Sequence, residues 1–246
     1  MSGGSSSNQL EQFKLLKNKI TRFMMMYKFA LDEIETKVEI LKEEFQLLHD
    51  YNPIEHTKSR IKSPESILNK IMRKGCGASI QDIQENVRDI AGLRITCSFI
   101  SDIYTISNML QKQSDLKIIS VKDYIANPKP NGYQSLHMMV QVPVFMSDRR
   151  EMVYVEIQIR TIAMDFWASL EHKIFYKYDE DIPAQLLKEL KEAADTATEL
   201  DKKMQRLHQE IEKIKSHQKG EEQLVIGNQK FELPHGLLQL IQPDLE

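Results

Sequence analysis

Between residues 9 and 51 the chain has neither Gly nor Pro, and Ile20, Met24, Tyr27, Leu31, Ile34, Val38, Leu41, Phe45 and Leu48 recur at alternating spacings of four and three. That rhythm keeps an apolar seam on one side of a helix and predicts one long helix, or two broken near Lys28. A matching stripe lies at the other end. Pro183 can start a helix in which Leu186, Leu190, Ala193, Ala197, Leu200, Met204, Leu207, Ile211 and Ile214 follow the same rhythm up to Gly220. The two helices are expected to pack on each other or across subunits. An internal helical layer and an oligomer interface both satisfy seams of this length.

The segment between them mixes periods. Ser63 and Pro64 suit the cap and first turn of a helix that ends at Gly75-Cys76-Gly77. A further helix to about Val87 is predicted, then a strand over 93–99, a helix over 102–113, strands over 116–124, 135–145 and 152–160, and helix again from Ile162. In that last helix Ala163, Phe166, Trp167, Leu170 and Ile174 read as the buried stripe, which makes Trp167 a core residue. The order predicts an α/β (α+β) fold with a mixed sheet and helices against it. Two short apolar runs around Gly227-Asn228 predict a hairpin in the tail.

Composition narrows the class. At 246 residues and 41% hydrophobic content the chain can bury an ordinary core, and a net charge of −3 argues against binding bulk nucleic acid. Cys76 and Cys97 are the only cysteines, with neither metal-ligand spacing nor disulfide density, so a reducing cytoplasm fits best. No apolar run approaches the roughly 20 residues of a membrane span. The opening M-S-G-G-S-S-S has no apolar signal region behind it and is expected to be a disordered tail or an expression remnant.

The candidate chemistry lies in residues 131–177. Side chains alternate across a strand, so Tyr154, Glu156, Gln158 and Arg160 share one face while Val153, Val155, Ile157 and Ile159 point into a core. Tyr133, Ser135, His137 and Gln141 likewise oppose Leu136, Met138, Val140 and Val142. Upstream, Arg60, Lys62, Lys70, Arg73 and Lys74 cluster about a short helix, and Ser66, Lys70 and Arg73 fall on one side of it. Beside a helix start such a stripe suits a polyphosphate, although a solvated basic face has the same look. Asp89 and Glu156, two carboxylates from separate segments, suit Mg²⁺, which takes one or two protein oxygens besides phosphates and water. Asp89 and Arg94 have opposite parity in a regular strand, so their sharing a site requires residues 90–92 to be loop or bulge, with Gly92 letting the backbone turn. Tyr133, held behind Pro128, Lys129 and Pro130, can stack on a base. His137, with no second ligand at metal spacing, reads either as a hydrogen bond to substrate or as a satisfied structural histidine.

Five motifs occur in order: R-I-K-S-P-E-S-I, R-D-I-A-G-L-R-I, D-Y-I-A-N-P-K-P-N-G-Y-Q-S-L-H, V-E-I-Q-I-R-T and F-W-A-S-L-E-H-K. Over residues 51–178 the chain resembles the synthetase domain of the RelA/SpoT alarmone enzymes, and in size it looks like the small alarmone synthetases. The resemblance implies a mixed sheet related to nucleotidyltransferases. It also implies Mg²⁺-dependent transfer of the β,γ-pyrophosphate of ATP to the 3′-hydroxyl of GDP or GTP, giving AMP and (p)ppGpp. Position by position it implies ATP at Arg60, Lys62, Ser66, Lys70 and Arg73, with Arg94 near the adenine or its phosphates. It puts the metal on Asp89 and Glu156, guanine on Tyr133, and Lys122, Lys129, Asn131, His137 and Gln158 around the acceptor nucleotide. Some relatives have Arg at the position of Lys122. Glu156 is the candidate base.

The expected organisation is a tail (1–8), a heptad helical region (9–50), the catalytic domain (51–180), a C-terminal helix for oligomerisation (181–219) and a terminal hairpin (220–246). The resemblance implies a homotetramer through the terminal helices; from composition, no membrane is expected and nucleic acid is not expected to be required. Longer members of that family carry a hydrolase with His-Asp motifs; beyond the single pair His49-Asp50 this chain shows none, so synthesis without hydrolysis is expected. Two other readings compete: another nucleotidyltransferase, which should carry a Gly-Ser motif and an Asp-x-Asp pair, and a non-catalytic guanine-nucleotide or RNA-binding module.

Overall fold

The computed structural model describes residues 4–48, 51–77, 79–175, 183–216, 224–226 and 229–231. A single helix α1 (Gly4–Leu48) is followed by β1 (Ile54–Ile61), α2 (Pro64–Lys74), α3 (Ile80–Asn86), β2 (Ala91–Cys97), α4 (Ile100–Lys112), β3 (Lys117–Asp123), β4 (Leu136–Phe145), β5 (Arg150–Thr161), α5 (Ile162–Phe175) and α6 (Ala184–Ser216). Two short strands, β6 (Leu224–Ile226) and β7 (Gln229–Phe231), pair antiparallel near the C-terminus. Helix α1 begins at Gly4, inside the segment expected to be a disordered tail, while the expected turn at Gly227-Asn228 lies outside the described residues.

Five strands form one mixed sheet in the order β1-β2-β5-β4-β3, in which only the β2–β5 pair is parallel. Alternation sorts its two faces. Leu93 and Ile95 of β2, Met138 and Val140 of β4, and Val155 and Ile157 of β5 are buried in one cluster with Tyr27, Ile34 and Val38 of α1 and Ile103, Ile106 and Leu110 of α4. The N-terminal heptad seam is therefore spent on the sheet rather than on the other long helix. Its two ends, Ile20 and Leu48, are exposed.

Strand β1 was not predicted. Its pattern has one buried residue followed by six exposed ones, because an edge strand over an open face gives no period-two signal. The buried stripe expected on α5 is also corrected. Met164, Trp167 and Ala168 are the buried residues, whereas Phe166 (65% exposed), Leu170 and Ile174 face outward. The helix packs on α6 through Trp167, whose indole N–H donates to the Leu190 carbonyl at 3.1 Å, so the widest apolar stripe is not the one the neighbour takes.

Helix α6 likewise turns an unexpected face inward. Ala194 and Asp201 are buried, the Thr161 hydroxyl meets Asp201 at 2.5 Å, Gln205 accepts from the Ser101 N–H at 3.2 Å, and His208 stacks on Phe99 at 4.2 Å. The heptad residues Leu200, Met204, Leu207, Ile211 and Ile214 are left exposed.

Candidate active site

Register across the sheet assembles the site from its open face. Directly paired residues share a face, and the pairs Lys58–Arg94, Arg94–Gln158, Gln158–His137 and His137–Lys122 run as one row over all five strands. The next row holds Arg60, Gly92, Glu156 and Met139. Strand alternation therefore brings together Arg60, Arg94, Lys122, His137, Glu156 and Gln158, which are far apart in the chain. A pocket of about 160 Å³ opens among Lys58, Arg60, Gly92, Arg94, Glu156 and Gln158.

Gly92 lies inside β2 and not in a turn, which corrects the expected role. A Cβ there would meet nothing nearer than the Glu156 carbonyl oxygen at 3.8 Å, so the bare backbone leaves floor space between Arg60 and Glu156. The turn comes earlier, at residues 88–90, and carries Asp89.

Asp89 receives Lys70 Nζ at 2.6 Å and Lys62 Nζ at 3.1 Å, both on Oδ2. Burial alone would raise its pKa, but the Lys70 hydrogen bond and the two lysine charges outweigh burial and leave it lowered. Oδ1 is buried with no hydrogen-bond partner. Helix α2 presents Lys70 from a well-formed start, with Ser63 accepting the Ser66 N–H at 3.2 Å and Pro64 in the first turn. Ser66 and Arg73 are exposed on that helix; Ser66 bonds to Ser63, and among the described residues the ion-pair partners of Asp89 are Lys62 and Lys70, not Arg73.

Glu156 meets His137 Nδ1 at 3.4 Å through Oε1 and receives the Gln158 amide at 2.9 Å on Oε2. Its pKa is raised by burial, but the His137 hydrogen bond and charge and the Gln158 hydrogen bond bring the net direction below the ordinary value. Asp89 opposes this through its charge, so the two carboxylates feel each other.

His137 Nε2 lies 2.7 Å from the Tyr133 hydroxyl. With a proton on Nδ1 the ring donates toward Glu156, while Nε2 meets the Tyr133 hydroxyl. The Tyr133 hydroxyl also accepts from Arg160 Nη2 at 2.5 Å, and Lys129 Nζ lies 4.6 Å from the centre of the Tyr133 ring. Tyr124 stands edge-on to both Tyr133 and His137. A base stacking on Tyr133 must share or displace the place of the Lys129 ammonium. Asn131 shapes this turn: its side-chain oxygen accepts the Tyr133 N–H at 3.2 Å, and its amide donates to Glu171 at 3.2 Å. Lys122 is exposed on β3 opposite His137.

Arg160 and Asp165 had no assigned role. Arg160, 4% exposed, donates to Tyr133, to Gln158 Oε1 at 2.7 Å and to Asp165 at 3.3 Å. Arg94 reaches the same Asp165 oxygen at 2.9 Å. The alternation of β5 already put Arg160 on this face; only the helix that follows could reveal Asp165.

The chain matches the family model described as "Region found in RelA / SpoT proteins" over residues 59–181. It is 58% identical over 189 residues to GTP pyrophosphokinase YwaC of Bacillus subtilis, covering 77% of this chain and 90% of that protein. Small alarmone synthetase 2 of Bacillus subtilis superposes with a TM-score of 0.71 at 56% identity, over 77% of this chain and 98% of the other. Small alarmone synthetase 1 of the same organism, bound to its product pppGpp, gives a TM-score of 0.72 at 37% identity, over 78% and 98%.

Proposed function

This chain belongs to the RelA/SpoT family, and from that premise we propose that it is a GTP pyrophosphokinase working through the sheet face described above. It makes the alarmone (p)ppGpp by moving the β,γ-pyrophosphate of ATP onto the 3′-hydroxyl of GDP or GTP, with AMP as the leaving product. The arrangement that supports these residues as its site is a small pocket lined by Lys58, Arg60, Arg94, Glu156 and Gln158, with His137 against Glu156 and Tyr133 against His137, and with the Asp89 charge acting on Glu156.

In this reading Arg60, Lys62, Ser66, Lys70, Arg73 and Arg94 hold ATP. The guanidinium and ammonium groups offset charge that moves onto AMP as the β-phosphorus changes partner. Tyr133 stacks on guanine, while Lys122, Lys129, Asn131, His137 and Gln158 fix the acceptor and its phosphates. Glu156, ionised at neutral pH, accepts a hydrogen bond from the ribose 3′-hydroxyl and takes its proton as the new P–O bond forms.

The donor set fits Mg²⁺. Asp89 Oδ1 is a buried carboxylate oxygen with no partner, and Glu156 supplies a second hard oxygen within electrostatic reach. A bound Mg²⁺ would neutralise phosphate charge. Lys62 and Lys70 fix the orientation of Asp89 through its other oxygen.

The assembly we propose is a homotetramer through the terminal helices, supported by the exposed apolar seam of α6 and by Leu10, Phe13, Leu16 and Ile20 at the start of α1. Its nucleotide substrates suit work in the cytoplasm. The test of the activity is thin-layer chromatography of β- or γ-labelled ATP with GDP or GTP. Label should pass to a slower, more phosphorylated guanosine spot; no transfer with either acceptor would leave a non-catalytic nucleotide-binding module.

A further inference from the structure

Arg94 and Arg160 come from different strands and serve different sides of the site, yet both end on one atom. Arg94 Nη1 lies 2.9 Å and Arg160 Nη1 3.3 Å from Asp165 Oδ1. Arg160 in turn holds the hydroxyl of Tyr133 and the amide oxygen of Gln158. Two guanidinium groups so close would repel each other without a shared counter-charge, and Arg160 is too buried to escape into water.

The carboxylate is fixed from behind. Asp165 sits in the first turn of α5, where a negative charge is favoured, and Thr161 caps that turn by accepting the Met164 N–H at 3.1 Å. The Thr161 hydroxyl is itself held by Asp201 of α6.

We propose that Asp165 is a positioning residue that sets both nucleotide subsites at once: Arg94 directly on the donor side, and Tyr133 through Arg160 on the acceptor side. The inference rests on the reading that ATP lies against Arg94 and guanine against Tyr133. A carboxylate that only buttressed the fold would alter stability and leave the two substrate dependences alone.

Steady-state kinetics of the full chain, with each nucleotide varied in turn, tests it. Asp165→Asn should raise the KM for ATP and the KM for the guanine nucleotide together, each about fivefold, with kcat reduced less than about threefold, the scale of a weakened charge-assisted hydrogen bond. Asp165→Glu keeps the charge on a longer stem, so both KM values should fall between those of the parent and Asp165→Asn. If Asp165→Asn does not fold, the glutamate variant decides alone. Only one KM moved, neither moved, or kcat alone reduced would overturn the inference. Arg94→Ala and Tyr133→Ala separate the layers: the first should raise the KM for ATP and the second that for the guanine nucleotide. Failure of that split would sink the site reading and the inference with it, whereas a clean split with only one KM changed in Asp165→Asn sinks the inference alone.

Discussion

A Cβ on Gly132 would lie 2.5 Å from the Cβ of Ala194, so the turn that carries Tyr133 is pressed against α6 with no room for a methyl group. Gly132 also has φ +89°, a conformation that side-chain-bearing residues rarely adopt. The same glycine meets two constraints, and both bear on the neighbouring ring. Gly132→Ala should destabilise the protein by about 1–3 kcal/mol through overpacking and backbone strain. It should also raise the KM for the guanine nucleotide more than that for ATP. Thermal unfolding and paired kinetics check this; a melting temperature and acceptor KM equal to the parent's would refute the tight contact.

The two carboxylates predict loss of turnover with the fold kept. Glu156→Gln preserves shape and the Gln158 neighbourhood but cannot take a proton, which should cost about 10²–10⁴-fold in kcat. Asp89→Asn loses the charge that Lys62 and Lys70 face and the buried oxygen proposed for the metal. It should fall at least as far and need more Mg²⁺ for its residual rate. Circular dichroism should match the parent in both, and normal synthesis by either variant would remove that residue from the mechanism.

A pH profile reads the surroundings of Glu156. Burial pushes its pKa up, the His137 and Gln158 interactions push it down, and the net shift is downward. A depressed pKa means the ionised form is favoured in the fold; its stabilisation is present above the unfolded pKa and is lost as pH falls through the folded one. The acid limb of kcat/KM due to Glu156 therefore lies below the ordinary glutamate range, and Glu156 does not titrate near neutrality. His137→Ala removes the largest downward influences, so that limb should move to higher pH even though the absolute rate falls. A limb unmoved, or moved to lower pH, would break the proposed pairing.

Much of this was legible from period alone. The alternation in β4 and β5 sorted Tyr154, Glu156 and Gln158 from Val153, Val155 and Ile157, and pairing register did the rest. Strand β1 escaped because an edge strand with six consecutive exposed residues carries no burial signal. Phe166, Leu170 and Ile174 misled because periodicity reports an apolar stripe, not which neighbour covers it. Helix α6 docks instead through Ala194, Asp201, Gln205 and His208, small and polar residues that no hydrophobicity pattern marks. Asp165 was invisible for a related reason: its role depends on the angle at which α5 leaves β5.

Hydrolysis offers a separate check. With the synthetase face as the proposed site of chemistry, added ppGpp should persist over hours with Mg²⁺ or Mn²⁺. Release of pyrophosphate or phosphate from it would require a second site.

The α6 seam makes the final prediction. Leu200, Met204, Leu207, Ile211 and Ile214 repeat at heptad spacing and are each about half exposed, while the residues that bind α6 to its own domain lie on another side of the helix. A change to the seam should therefore act on assembly without loosening the fold. The double variant Leu207→Glu/Ile211→Glu places like charges where a second helix would dock, at a cost per contact comparable to burying an unpaired carboxylate, about several kcal/mol. Light scattering should show the parent as a tetramer and the variant as a smaller species, with the unfolding temperature of the dilute protomer little changed. If the variant keeps the parent's mass, the terminal-helix assembly is wrong. If the parent is already a monomer, the exposed seam has some other partner and the tetramer proposal falls.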